Sequence, residues 1–262
     1  MILKIGLIAL FIFFFAISLF AQNNEQIENE LVLGIKDIQT FSIHGGEYDR
    51  EKLSKAQKGF EEKLLKFTKV DSTLNYEFAK LRELMFIASS EDGKFRNYSW
   101  NLQDGGTMHH FARAYQYQGA DGRVYSKTEK VVKEGMGPGF VTDIFTLDTP
   151  GSTVYIVCST SIASTRLNLQ SADLYKIEGG TLNDKVKLIK TSAGLTNTLN
   201  FEYDNFSVID QKEPPSKLIT FEEKSRTLKI PVVIKDTEYP DGRVTTKFIS
   251  YRFNGKYFVK VS

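Results

Sequence analysis

Four turns of one chemical form punctuate the chain from residue 89 onward: Asp92-Gly93-Lys94, Asp121-Gly122-Arg123, Asp241-Gly242-Arg243 and Asn254-Gly255-Lys256. Asp or Asn followed by Gly supplies the positive backbone angles that a tight hairpin demands, so each dipeptide predicts a reversal between two antiparallel strands. Between the turns, short runs rich in Val, Ile, Thr, Tyr and Phe predict strands over 94–101, 107–118, 123–131, 140–147, 152–162, 167–177, 185–190, 199–209, 217–222, 227–235, 243–253 and 256–261. About twelve antiparallel strands at this spacing predict a mainly β (α+β) protein: a sandwich, a barrel or a small propeller-like arrangement. The match of Asp121-Gly122-Arg123-Val124 to Asp241-Gly242-Arg243-Val244, 120 residues apart, fits three blades of a propeller.

The period changes upstream. Leu53, Ala56, Phe60, Leu64 and Phe67 recur at spacings of three and four, as on one face of a helix, and Asp49 is a candidate cap. Leu74, Phe78, Leu81 and Met85 repeat the stripe behind Ser72, which predicts a helical hairpin over 51–88. Residues 22–50 read as a strand, Leu31-Val32-Leu33-Gly34-Ile35, and a loop broken at Gly45-Gly46. The antiparallel β domain then occupies 89–262.

Residues 1–21 have the three parts of a secretory leader: Lys4 near the start, an apolar run from Ile5 to Phe20, and small residues at the end. Ala21 is the preferred last residue removed, with a cut after Ser18 as the alternative. The apolar run falls short of the roughly 20 residues that span a bilayer, so no stable membrane insertion is expected after removal. No cysteine lies near the cut, which argues against a lipoprotein. The expected location is the periplasm or the exterior. Cys158 is the sole cysteine and lies in an apolar strand, so a buried thiol is expected rather than a disulfide. The formal net charge is +2, and basic residues alternate with acidic ones, a pattern that disfavours nucleic acid as a partner.

One predicted hairpin carries the candidate binding residues. If the turn around Asp104-Gly105-Gly106 holds an even number of residues, Arg96, Tyr98 and Trp100 share a face with His109, Phe111, Arg113, Tyr115 and Tyr117. Such a face either packs inside the protein or forms an open aromatic and cationic platform; a turn of odd length would regroup the two strands. His109 and His110 point to opposite faces of a strand, and the remaining histidine is His44, so a zinc site is not expected. No nucleophile elbow, paired-histidine zinc motif or phosphate loop occurs, and neither a catalytic residue nor a cofactor is assigned. Glu202 and Asp204 would face the same way on one strand, which keeps an acid-dependent hydrolase open. Both faces of the hairpin around Asn254-Gly255 are apolar, which predicts burial on two sides.

The run Glu91-Asp92-Gly93-Lys94-Phe95-Arg96-Asn97-Tyr98-Ser99-Trp100, followed by Gly105-Gly106-Thr107-Met108, resembles a pattern in uncharacterised exported proteins of Gram-negative bacteria. The segments Lys229-Ile230-Pro231-Val232-Val233 and Phe253-Asn254-Gly255-Lys256-Tyr257-Phe258-Val259 are similar to theirs too. The resemblance implies an exported bacterial protein and carries no activity with it. The leading expectation is a non-enzymatic binding or scaffolding protein whose partner is an unknown ligand or an envelope protein. The alternative is a hydrolase acting on envelope or extracellular polymers through acidic residues.

Overall fold

A computed structural model describes residues 23–129, 137–215 and 217–261. The leader therefore lies outside the described residues. Three open sheets and a helical layer stack face to face, and the fold is mainly β and sandwich-like, without a closed barrel. The first sheet has the order β1 (Phe86–Ser89), β2 (Phe95–Asn101), β3 (Phe111–Gln118), β4 (Val124–Thr128). The middle sheet runs β11 (Thr198–Asp204), β7 (Leu167–Glu178), β6 (Ser152–Ile162), β5 (Phe140–Thr149), with β8 (Thr181–Asn183) on β7. The outer sheet runs β10 (Gly194–Thr196), β9 (Ile189–Thr191), β15 (Phe258–Val261), β14 (Arg243–Phe253), β13 (Thr227–Ile234), β12 (Thr220–Glu222). All four turn glycines, Gly93, Gly122, Gly242 and Gly255, adopt positive φ as the Asx-Gly pattern requires. The two matching Asp-Gly-Arg-Val turns belong to different stacked sheets, β3–β4 and β13–β14, and are not blades around an axis.

Side-chain alternation joins the layers. On β6, Tyr155 and Val157 face the first sheet, where they meet Phe95, Tyr115 and Tyr117, while Val154, Ile156 and Cys158 face the outer sheet with Leu228, Tyr251 and Phe258. The central strand β6 is thus buried on both sides, and Val154–Cys158 within it reads as a continuous apolar run. Cys158 is one of those inward residues; burial raises its thiol pKa, so the sulfur stays protonated and inert.

The helical layer departs from the sequence reading in two places. Residues 23–41 form a helix, α1, where a strand and loop were expected. Ile27, Leu31, Ile35 and Ile38 are buried at spacings of four, four and three, a helical period, while Leu33 in the middle of the supposed strand is 62% exposed. The contiguous apolar run Leu31-Val32-Leu33 hid that stripe. The next helix, α2 (Arg50–Phe67), forms as expected, with Asp49 accepting from the Glu51 and Lys52 amides at 3.0 Å each. The helical hairpin is therefore α1–α2, one element earlier than 51–88.

The second predicted helix is absent except for one turn, α3 (Ala79–Arg82), although Leu74, Phe78, Leu81 and Met85 are all buried as its stripe required. Tertiary contacts take its backbone. The Arg96 guanidinium donates to the Thr73 and Tyr76 carbonyls at 3.1 and 2.6 Å, acceptors that a helix would have used internally. Phe78 then turns into the left-handed region at φ +51, and the Glu28 carboxylate accepts from the Lys80 and Leu81 amides, serving as a cap borrowed from α1.

The carboxyl-terminal hairpin β14–β15 keeps its predicted face grouping but not its predicted burial. Tyr251, Phe253 and Phe258 point into the stack, whereas Phe248 on the other face is 48% exposed, because the outer sheet has nothing packed beyond it among the described residues.

Candidate functional site

The aromatic and cationic platform does not exist. Trp100 is 1% exposed and Arg96 and Arg113 are 4% exposed each; Tyr98, Phe111 and Tyr115 are buried with them, and His109 is half-buried. Nor do the seven residues share a face. Arg96 pairs with Gln116, Tyr98 with Ala114 and Trp100 with Ala112, while Asn97, Ser99 and Asn101 stand opposite Tyr115, Arg113 and Phe111. The connection from 102 to 110 has an odd number of residues, and odd length is the case that splits the predicted face. Arg96, Tyr98 and Trp100 point to the helices; Phe111, Arg113 and Tyr115 point to the middle sheet.

Each buried arginine is satisfied in place. Arg96 also donates to the Ser89 hydroxyl at 2.8 Å and lies over the Phe78 and Tyr98 rings. Arg113 donates to the Gly139 carbonyl and pairs with Glu129 at 3.4 Å; the Tyr115 hydroxyl donates to the same carboxylate at 3.0 Å and meets the Tyr175 hydroxyl at 3.1 Å. Burial raises the pKa of both tyrosines, so this cluster is a neutral-phenol network that ties two sheets together. His109 meets the Asn101 amide at 2.8 Å and His110 meets Asp104 at 2.9 Å, each histidine with its own partner. Asp204 is fully buried and receives two Arg166 donors at 2.6 and 2.9 Å, while Glu202 is exposed. These two acids do not form a working pair. Among the described residues no three potential metal ligands converge.

Two open surface features stand out among the described residues, and neither was visible in the sequence. The first is an acidic cleft of about 370 Å3 where the three sheets meet, lined by Glu91, Asp92, Asp148, Phe221, Glu223 and Arg226. Asp92 accepts from the Tyr155 hydroxyl at 2.9 Å, and Arg226 donates to the Asp148 carbonyl at 2.6 Å. Glu91 and Glu223 are close enough to hydrogen bond, which raises the Glu223 pKa, with the Glu91 and Asp148 charges adding to the effect. Both glutamates are exposed.

The second feature is a groove of about 340 Å3 between α1 and α2. Phe41, Ala56 and Phe60 line its floor with Gly34 and Gly59, and Lys52, Lys55, Lys63 and Asp37 stand along its edges. The helices approach most closely at Gly34, where an added Cβ would lie 3.0 Å from the Phe60 ring, so this glycine is a packing requirement. Gly59 is different. A Cβ there would meet nothing within 4 Å, although an interior helical glycine costs about 0.5–1 kcal/mol relative to alanine. None of Lys52, Lys55 and Lys63 lies within 4.0 Å of a carboxylate among the described residues; Lys52 Nζ instead sits 5.2 Å above the Phe41 ring.

Comparison with known proteins returns nothing: no family model, no curated protein and no solved structure matches this chain. Function must be argued from the surface itself.

Proposed function

We propose that this chain is an exported, non-catalytic binding or scaffolding module that engages an anionic partner through its helical layer. The observation that carries the reading is the α1–α2 groove, where three ammonium groups surround an open channel and face a single carboxylate, Asp37. Helix α2 holds six basic residues against three acidic ones, while α1 holds four acidic residues against one basic, so the layer as a whole is balanced and the positive charge is local to α2 and the groove edge it forms. Exposed Leu33, Ile43 and Tyr48 belong to the same layer and its connecting turn, an arrangement suited to contact with another molecule. Export is supported by the leader pattern of residues 1–21, and among the described residues no helix is long and apolar enough to cross a membrane.

Retention on a carboxylate-bearing resin tests the groove. A double variant, Lys52→Glu with Lys63→Glu, should elute far earlier than a variant of equal net charge altered on the outer sheet at Lys229 and Lys256. Equal elution would overturn the reading. Export is tested by amino-terminal sequencing of the processed protein, which should begin near Gln22; an intact Met1 on cytosolic material would refute it.

The Glu91–Glu223 pair supports a second reading, a hydrolase of envelope or extracellular polymers. A raised glutamate beside other carboxylates is the kind of group that donates a proton. Glycosidase carboxyls, however, stand roughly 5–9.5 Å apart to admit a sugar or a water between them, and both of these glutamates are solvent-exposed. Polymer turnover by the unaltered protein, lost in Glu91→Gln and Glu223→Gln, would favour the enzyme.

A further inference from the structure

We infer that the α1–α2 groove takes an acidic peptide segment in which carboxylates alternate with apolar side chains; the inference rests on the binding reading above and names its ligand class. Three features of the groove select this chemistry. The first is the length of the cationic edge. From Lys52 to Lys63 the helix advances eleven residues, about 16 Å at 1.5 Å per residue, which is the reach of about five residues of extended peptide. A single carboxylate or phosphate can satisfy one end of such an edge but not both.

The second is the floor. Phe41 and Ala56 are only partly buried, and Phe60 closes the base beneath them. A purely ionic polymer would leave this apolar surface wet, whereas a segment with apolar side chains between its acids would cover it. The third is shape. The groove is concave at Gly59, where the missing side chain opens space that the packing of the helices does not use. A flat anionic bilayer touches ridges and cannot fill such a channel; an extended chain can. An extended peptide also divides its side chains by period two, so carboxylates can lie toward the lysines while alternate apolar groups lie on Phe41 and Ala56.

The Lys52–Phe41 contact suits this arrangement. A cation over an aromatic ring keeps its outer hemisphere free for a carboxylate, and a ligand that excludes water there strengthens both interactions.

The full chain without its leader is titrated against fluorescein-labelled peptides and followed by anisotropy. The probes are a short alternating Glu-Leu peptide, an alternating Glu-Gly peptide, polyphosphate, and phosphatidylglycerol vesicles. The Glu-Leu peptide should bind saturably, weaken as salt rises, and exceed the Glu-Gly peptide by about tenfold, as expected for covering the apolar floor. Lys52→Glu with Lys63→Glu should cost about tenfold or more. Gly59→Ala should retain binding, and Gly59→Trp, which fills the channel, should abolish it with no fall in melting temperature. Should Gly59→Trp fail to fold, the lysine pair alone decides. Equal binding by Glu-Gly, polyphosphate or vesicles would overturn the inference while leaving an anion-binding groove. Absence of saturable binding to every probe would remove both the inference and the reading it rests on.

Discussion

Two hairpins of this protein, both rich in aromatic residues, end in opposite situations. Strands β2 and β3 carry aromatic and cationic residues and lie at the centre of the stack, with helices on one side and the middle sheet on the other. Strands β14 and β15 carry large apolar side chains on both faces and lie in the outermost sheet, with Phe248 open to solvent. Taken alone, the first suggests an exposed platform and the second a doubly covered core element. The comparison teaches that composition sets what a strand can tolerate, while its layer sets what it meets. Arginine is tolerated inside because carbonyls and a carboxylate await it; phenylalanine is tolerated outside because its exposure costs little in isolation.

The contrast can be broken by mutation. Trp100→Ala in the inner hairpin and Phe258→Ala on the inward face of the outer one should each lower stability by about 3–5 kcal/mol, since both side chains are fully buried. Urea unfolding would show it. Arg96→Met should cost about 1–3 kcal/mol by leaving the Tyr76 carbonyl without its guanidinium donor and the Thr73 carbonyl with the Tyr76 amide alone, and hydrogen exchange should change across 70–82 before it changes elsewhere. If exchange in that segment did not change, the Arg96 contacts would not be what holds its non-helical backbone. Phe248→Ala should cost less than about 1 kcal/mol; a loss matching that of Phe258→Ala would mean the outer face is covered in solution.

Two smaller effects sharpen the picture at the surface. Gly59→Ala should raise stability by about 0.5–1 kcal/mol, because the new methyl enters open space and the helix gains propensity. The Glu91–Glu223 contact should show as a pH effect. A folded pKa raised above the unfolded one means the contact favours folding while Glu223 is protonated, and the benefit is lost as pH rises past the ordinary glutamate range. Glu223→Gln should therefore flatten the pH dependence of melting temperature in that window, and an unchanged profile would show that the two carboxyls do not interact in solution.

Much of the β architecture was readable because it rests on local chemistry. The Asx-Gly turns are positions where only a short list of residues tolerates positive φ, and the strands between them carry their own alternation. The helical layer was read less well. Ile27, Leu31, Ile35 and Ile38 did carry a helical period, obscured by the denser run around Val32 and Leu33. Nothing local marked Glu28 as the cap of α3 or Arg96 as the partner of two carbonyls some 20 residues away. The grooves were invisible for the same reason: Lys63 on α2 and Asp37 on α1, or Glu91 and Glu223, become neighbours only through packing.

From its residues alone this chain determined where strands reverse, which side chains leave water, and that Cys158 sits in an apolar strand. Tertiary structure decided the rest: the stacking order of the layers, the odd-length β2–β3 connection that parted Arg96 from Arg113, and the surfaces left open to a partner. Turn geometry and hydrophobicity act within a few residues and are written locally, whereas a face is defined by whatever packs against it.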